Sequence, residues 1–570
     1  MSVPRSIRGF PNEPMYSHLL RLSKETQHII IHDPKNGANV TCEEFLLDVL
    51  AFQSVLRQAI PNECFEQSRN NDRSCYVAVL CPMSYEFIVS LYAINSLGFA
   101  VVPLSTKLLP DEVAELMCIC DAICLVTASD QSALATKIPE KGDIFLGKNT
   151  VHVPVSVKPG MRKKIIDLGG AFIEENVSFP HLRPGLLIFT SGTTGPPKGV
   201  VHTREFFNPR SIRGAKLGGR ALYQRPTHSI TGVLNLMDLI STGACVEIFP
   251  TGYDAASIWE RLAAGGITIL FGPPVMWTLL MQYYEEKLRH LPSSKLSRYM
   301  HGIQTLQVAW MGAGLATSRV KRFWLEILKG GFQIKYSSTE MGREVLFYEM
   351  NATSDPSLPV IGKPVFGVDV KLTHVDHGEL LVKAPNMFQG YLNDKDKTRD
   401  AFTEAGYYKT GDLAHVDKNG VFLFQGRASA DFARFSTYIV PILEVEAALV
   451  SLPYIAEGYI LPVPDDMHGH LIGALVRLKP ETCLDMLPLT LATLRSDLSL
   501  SISLYKQPTL LRVVVDEEIP LSGQGKLARN KAIEMYFTSS TGLCYLQKWD
   551  LTLEMRRPGK KAWDWGGITL

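Results

Sequence analysis

One stretch constrains this chain more than any other: Leu187-Ile-Phe-Thr-Ser-Gly-Thr-Thr-Gly-Pro-Pro-Lys-Gly-Val-Val201. Its apolar start reads as the end of a buried strand and Val200-Val201 as the start of a returning one. Between them lie Thr190, Ser191, Gly192, Thr193, Thr194, Gly195 and Lys198. Glycines let backbone N–H groups turn inward around an anion, hydroxyls donate to phosphate oxygens, and a lysine adds a point charge. The composition suits a polyphosphate. The spacing is not that of the Walker loop, which has four residues between Gly and Gly-Lys-Ser/Thr.

The rest of the chain is read around that loop. At 570 residues it exceeds one ordinary core, so two or more domains are expected. A net charge of +1 gives no argument for a nucleic-acid partner. The ten cysteines lack paired Cys-x-x-Cys spacing, which points to a reducing compartment. No stretch is long and apolar enough to span a bilayer, and no integral membrane segment is expected. The chain is read as cytoplasmic, with peroxisomal and mitochondrial locations left open. It ends in Ile568-Thr-Leu570 rather than Ser-Lys-Leu. Arg21-Leu22 followed by His28-Ile29 fits an amphipathic helix better than an N-terminal address.

Periodicity predicts helix at 41–56, strand at 76–80, helix at 85–97, strand at 99–104 and helix at 111–117. That alternation implies parallel α/β layers. Further along come Thr227-His-Ser-Ile-Thr-Gly232, Met311-Gly-Ala-Gly-Leu315, Tyr336-Ser-Ser-Thr-Glu340, Tyr408-Lys-Thr-Gly-Asp-Leu413, Gly426-Arg427 and Ile519-Pro-Leu-Ser-Gly-Gln-Gly-Lys-Leu-Ala-Arg529. Small residues such as Gly312 let a flat ring approach the backbone, and a tyrosine offers a ring face. Glu340 is a hard oxygen ligand, and Asp412 can accept two vicinal hydroxyls.

In this order, with Ser191-Gly-Thr-Thr-Gly-Pro-Pro-Lys-Gly199, the motifs resemble those of the adenylate-forming superfamily, over about residues 40–535. The resemblance implies an α/β fold: a large N-terminal adenylation domain of layered sheets and helices (1–426), a hinge (427–431) about Asp431, and a small α+β lid (432–537). Residues 538–570 form an extra tail, docked or disordered. The implied cofactors and co-substrates are ATP, Mg²⁺ and coenzyme A. Thr190 to Gly195, Gly312, Tyr336, Ser337, Ser338, Thr339, Asp412 and Arg427 would bind the nucleotide. Glu340 and Thr194 would hold Mg²⁺. Lys198, His228, Glu340 and Lys526 would carry catalysis, Lys526 by reaching the substrate carboxylate and α-phosphate.

The implied activity is an acid–thiol ligase of the acyl-CoA synthetase branch, nearest to malonyl-CoA-synthetase-like enzymes. Alternatives are loading of a separate carrier protein's thiol, or a nucleotide-binding relative that has lost turnover. Three features depart from the pattern. Ser337 replaces a glycine. Ser436-Thr437 stands where a paired glycine is usual, in a loop that would lie against the pantetheine tunnel. The stretch 356–364 lacks the arginine that would hold a second carboxylate, which leaves Arg343 as a candidate anion clamp.

Overall fold

The computed structural model describes residues 9–69, 75–128, 151–155, 162, 165, 170–190, 197–249, 252–427, 432–435, 438–479, 489–520, 527, 529–538 and 545–550. The predicted alternation is observed near the N-terminus. Helix Cys42–Ala59 starts at Thr41, whose hydroxyl accepts from the Glu44 amide while the Glu44 side chain accepts from the Thr41 amide. Such a reciprocal cap contributes about 1 kcal/mol. Strand Tyr76–Leu80 pairs in parallel with Ala100–Pro103 and Ala122–Thr127. Helix Tyr85–Ser96 lies between layers with its residues buried nearly all round, which accounts for its lack of a polar stripe.

Two large sheets form the frame, among the described residues. One has seven strands and includes the hairpin Pro184–Thr190/Lys198–Thr203, edged by Gly390–Tyr391. The other has thirteen strands and carries Val308–Gly312 and Phe332–Tyr336, paired in parallel, in its middle. On the C-terminal side, Tyr408–Val416 and Phe422–Arg427 extend that second sheet. A separate six-stranded sheet follows, with Phe432–Phe435, Tyr438–Pro441, Ile455–Asp465, Gly469–Leu478 and Leu510–Val514. Helices Ile442–Val450 and Leu491–Leu498 accompany it.

The sixth strand comes from the tail. Gln547–Lys548 pairs antiparallel with Leu510–Val514. The Gln547 side chain accepts from the Leu491 amide at 2.7 Å and donates to the Leu489 carbonyl at 2.9 Å. Trp549 lies under Arg495, 4.3 Å from its ring centroid. The tail's described part is therefore docked on the lid.

Candidate active site

The phosphate-loop strands meet as expected. Lys198 stands opposite Thr190 in an antiparallel hairpin, and the Thr190 hydroxyl donates to the Lys198 carbonyl at 3.4 Å. Ser191, Gly192, Thr193, Thr194 and Gly195 lie outside the described residues, as do Lys526, Asp431, Ser436 and Thr437. The side chain of Arg427 is likewise undescribed, but its backbone pairs with Asp412 across neighbouring strands.

Lys198 Nζ lies 5.5 Å from the centroid of the Tyr391 ring. Tyr391 in turn donates to Glu340 Oε1 at 3.0 Å, and Ser338 donates to Glu340 Oε2 at 3.1 Å. Burial pulls the Lys198 ammonium below its ordinary pKa, and nearby Glu340 pulls the other way. Burial and the Glu340 charge together hold the Tyr391 hydroxyl above its usual range. The lysine from the phosphate loop and the predicted metal carboxylate thus share one environment.

The backbone bearing Glu340 is fixed by a turn. The Gly342 amide donates to the Thr339 carbonyl at 3.1 Å, and Gly342 has φ +73°. A side chain there would need that left-handed conformation and would meet the Asn386 carbonyl at 3.0 Å. His202, fully buried on the strand leaving the phosphate loop, donates through Nε2 to the same Thr339 carbonyl at 2.9 Å. Burial lowers its pKa to about 4, so the ring is neutral at pH 7. His202 and Tyr391 are functional neighbours that motif reading missed. The available signal for His202 was its even spacing from Lys198 and Val200 on one face of the strand.

Tyr336 and Asp412, predicted to hold adenine and ribose, touch: the phenol donates to Asp412 Oδ2 at 2.6 Å. Ser337, which stands where the pattern has glycine, turns its hydroxyl onto the Arg343 carbonyl at 2.7 Å. Gly312 is crowded, since an added Cβ would lie 3.1 Å from the Lys335 carbonyl. The next residue, Ala313, has φ +62°, a strained value for alanine. His228 is buried beside Ser229, which caps helix Ile230–Thr242 by accepting from the Gly232 amide. Gly232 is required there, because a Cβ would fall 1.7 Å from the Pro226 carbonyl.

Arg343 does not serve as a free anion clamp. It is buried, with Nη1 at 2.8 Å from Asp238 Oδ2 and Nη2 donating to the Phe206 carbonyl at 3.2 Å. Burial pushes the Asp238 carboxyl up, and Arg343 opposes that push. A buried carboxylate demands such a partner, so the arginine is committed to the fold.

Glu340 suits magnesium. No group of three or more His, Cys, Asp or Glu able to hold a metal occurs among the described residues. A single partly buried carboxylate beside a lysine fits an ion whose other ligands are nucleotide phosphates and water.

A family model described as AMP-binding enzyme matches residues 23–392, and one described as AMP-binding enzyme C-terminal domain matches 444–526. The chain belongs to the AMP-binding enzyme family. Among curated relatives of this AMP-binding enzyme, the acyl-CoA ligase oryP of Aspergillus oryzae is 33% identical over 539 residues, covering 92% of this chain and 93% of that one. A malonate–CoA ligase of Arabidopsis thaliana is 26% identical, covering 80% and 77%. Among solved structures, a malonyl-CoA ligase with methylmalonyl-CoA and AMP bound superposes with a TM-score of 0.66 at 20% identity, covering 91% of this chain and 99% of that one. The o-succinylbenzoate CoA synthetase of Bacillus subtilis gives 0.68 at 21%, covering 91% and 98%. The layered α/β domain and the smaller C-terminal domain expected from sequence are those of this AMP-binding fold.

Proposed function

We propose that this chain is an ATP-dependent, AMP-forming acid–thiol ligase that activates an acid bearing a second anionic group and transfers its acyl group to coenzyme A. The observation that carries the reading is the convergence of Lys198, Glu340, Tyr336 and Asp412 from three separate segments onto one site. The names of the two curated relatives described above, both CoA ligases, support coenzyme A over a carrier protein as acceptor. No described helix is long and apolar enough to cross a membrane, and the cytoplasm remains our reading of location.

A carboxylate attacks the α-phosphorus of ATP, pyrophosphate leaves, and a thiol then displaces AMP from the acyl-adenylate. The acid is already ionised, so no general base is needed. Charge developing on the phosphates meets Lys198 and, from the lid, Lys526. Asp412 accepts the ribose hydroxyls and orients the nucleotide. Glu340 would hold Mg²⁺, which supplies charge neutralisation on the phosphates. Lid rotation then exchanges Lys526 for the thiol.

The substrate class follows from charge on the acyl side. Lys335, directly before Tyr336, has a side chain only 11% exposed and lies 4.0 Å from Glu344. Its Nζ sits 4.8 Å from the Trp310 ring centroid. Burial lowers its pKa, Glu344 and Asp238 oppose that, and Arg213 adds to it. Arg210 is likewise lowered by burial and by Arg343. Arg210 and Arg213 are exposed and add positive charge near this cluster, while the buried Arg343 is paired with Asp238. The buried donors Arg343 Nε, Asn235 Nδ2 and Trp310 Nε1 have no hydrogen-bond partner. Buried donors left unfilled are costly unless a polar group enters, and the nearby positive charge favours an anionic one.

Carboxylate-dependent ATP–pyrophosphate exchange over monocarboxylic, dicarboxylic, medium-chain and aromatic acids tests this. Exchange is expected with short dicarboxylates, lost in Lys526→Ala and shifted toward monocarboxylates in Lys335→Met. Exchange confined to monocarboxylates in the unmodified protein overturns the substrate class. Absence of exchange with every acid overturns the ligase reading.

A further inference from the structure

Residues 388–392 join two parts of the nucleotide side that are far apart in the chain. The Phe388 amide donates to the Glu340 carbonyl at 2.8 Å. The Gln389 amide donates to the Val201 carbonyl, and the Leu392 amide to the Gly199 carbonyl, both at 2.7 Å. Gly390–Tyr391 is thereby an antiparallel edge strand on Lys198–Thr203, with Tyr391 opposite Val200. The Tyr391 amide donates to the Thr398 hydroxyl at 2.9 Å. One short segment is thus bonded to the backbone of the metal carboxylate and to the strand that leaves the phosphate loop.

The Tyr391 side chain bridges the same two elements. Its ring meets Phe388 edge-on, with centroids 5.0 Å apart, and Phe388 is buried against Phe402 and Tyr408. From that seat the hydroxyl donates to Glu340 Oε1 at 3.0 Å, and the ring centroid lies 5.5 Å from Lys198 Nζ. Glu340 and Asp394 attract the Lys198 ammonium without forming an ion pair with it, Asp394 being paired with Lys397 at 2.8 Å. The ring face supplies the contact that those carboxylates do not, since an aromatic face attracts an ammonium within about 6 Å of its centroid. Glu340 is held at both oxygens, by Tyr391 and by Ser338. Each carboxylate oxygen has a second lone pair, so these bonds orient the group and leave it open to a cation.

We propose that Tyr391 is a positioning residue with two separable parts: its hydroxyl sets the Glu340 carboxylate for Mg²⁺, and its ring sets the Lys198 ammonium for the nucleotide phosphates. The proposal rests on the ligase reading for what Glu340 and Lys198 do, and on the geometry alone for what Tyr391 holds. Removing a hydrogen bond to a metal-binding carboxylate lowers metal affinity about tenfold or more. The contact between ring and ammonium is weaker and contributes about fivefold.

Binding of α,β-methylene-ATP, which cannot release pyrophosphate, tests both parts in the full chain without any acid. Its affinity is measured by isothermal titration calorimetry in saturating Mg²⁺ and in EDTA, and the ratio of the two reads the contribution of the metal. In Tyr391→Phe the ratio should fall about tenfold while the affinity in EDTA stays put. In Tyr391→Leu the ratio should fall equally, and the affinity in EDTA should fall about fivefold besides. Adding Tyr391→Leu to Lys198→Met should cost nothing further in EDTA, because the ring acts through the lysine. An unchanged ratio in Tyr391→Phe overturns the role of the hydroxyl. An affinity in EDTA lowered as much by Tyr391→Phe as by Tyr391→Leu, or lowered again on the Lys198→Met background, marks a merely structural contact and overturns the role of the ring.

Glu340→Gln is the reference, and its ratio should fall at least as far as that of Tyr391→Phe. If Glu340→Gln keeps the full ratio, Tyr391 does not act through Glu340, and the metal half of the proposal fails. In pyrophosphate exchange with an acid that supports it, Tyr391→Phe should raise the Mg²⁺ concentration for half-maximal rate about tenfold and leave the rate at saturating Mg²⁺ unchanged. If the unmodified protein shows no exchange with any acid, the ligase reading fails, and the binding ratios still decide the role of Tyr391.

Discussion

Around the ends of strands Val308–Gly312 and Phe332–Tyr336, the nucleotide side and the acyl side are built differently. On the nucleotide side, polar groups stand in short contact and close their own hydrogen bonds: Tyr336 with Asp412, Tyr391 and Ser338 with Glu340. On the proposed acyl side, charges from helix Ile230–Thr242, strand Phe332–Tyr336 and the turn after it lie together, with the exposed Arg210 and Arg213 nearby, and some buried donors stay unfilled. The first arrangement is complete in itself and awaits a ligand that exchanges partners with it. The second is held by one strong ion pair, Arg343 with Asp238, and leaves positive charge over.

The largest expected effect tests that ion pair. Arg343→Met leaves Asp238 buried without its partner and should cost about 3–5 kcal/mol of stability, read from urea unfolding. Adding Asp238→Leu should recover most of the loss, because the paired apolar substitution removes the uncompensated charge. A single-variant cost of about 0.5 kcal/mol or less would mean the two sides do not differ as described.

Next comes His202, which ties the nucleotide side together from beneath. Its folded pKa of about 4 lies below the 6.5 of an unperturbed histidine. The unfolded chain therefore binds the proton more readily. The stability from the neutral ring is fully present above pH 6.5 and is lost as pH falls toward 4. The difference corresponds to about 3 kcal/mol. His202→Gln, able to keep the bond to the Thr339 carbonyl, should flatten the acid limb of a stability-versus-pH curve by about that amount. An unchanged acid limb would show that the ring is not the buried neutral group described.

What sequence made legible follows the same division. Motif order located Lys198, Glu340, Tyr336 and Asp412, because each chemical role is carried by a residue within a short local pattern. The α/β alternation was readable for the same reason, with strand Tyr76–Leu80 and helix Cys42–Ala59 falling where periodicity placed them. The acyl side was not readable. Arg343 looked like a free clamp because its partner, Asp238, lies 105 residues away on a helix whose buried face gives no local sign of charge. Lys335 closes its strand beside Tyr336, and only the fold buries its side chain. Tyr391 was missed because only the pairing of its two-residue edge strand with Lys198–Thr203 brings it to Glu340. The tail's strand was left open because Gln547 acts through backbone groups of Leu489 and Leu491, which no side-chain pattern announces.

The smallest effect separates the two sides kinetically. Asp412→Asn keeps the side-chain shape and one acceptor but removes the charge that receives the Tyr336 hydroxyl at 2.6 Å. A hydrogen bond to a charged group contributes about 1.5 kcal/mol or more, so kcat/KM for ATP should fall about tenfold. The fall should be the same for every acid that supports exchange if Asp412, as proposed, acts on the nucleotide alone. Lys335→Met should do the reverse, changing the order of preferred acids while the KM for ATP stays put. If Asp412→Asn instead altered acid preference, the shared strand ends would be transmitting between the two sides. The acyl side would then be no independent pocket, and its buried charges would have to be counted with the nucleotide's.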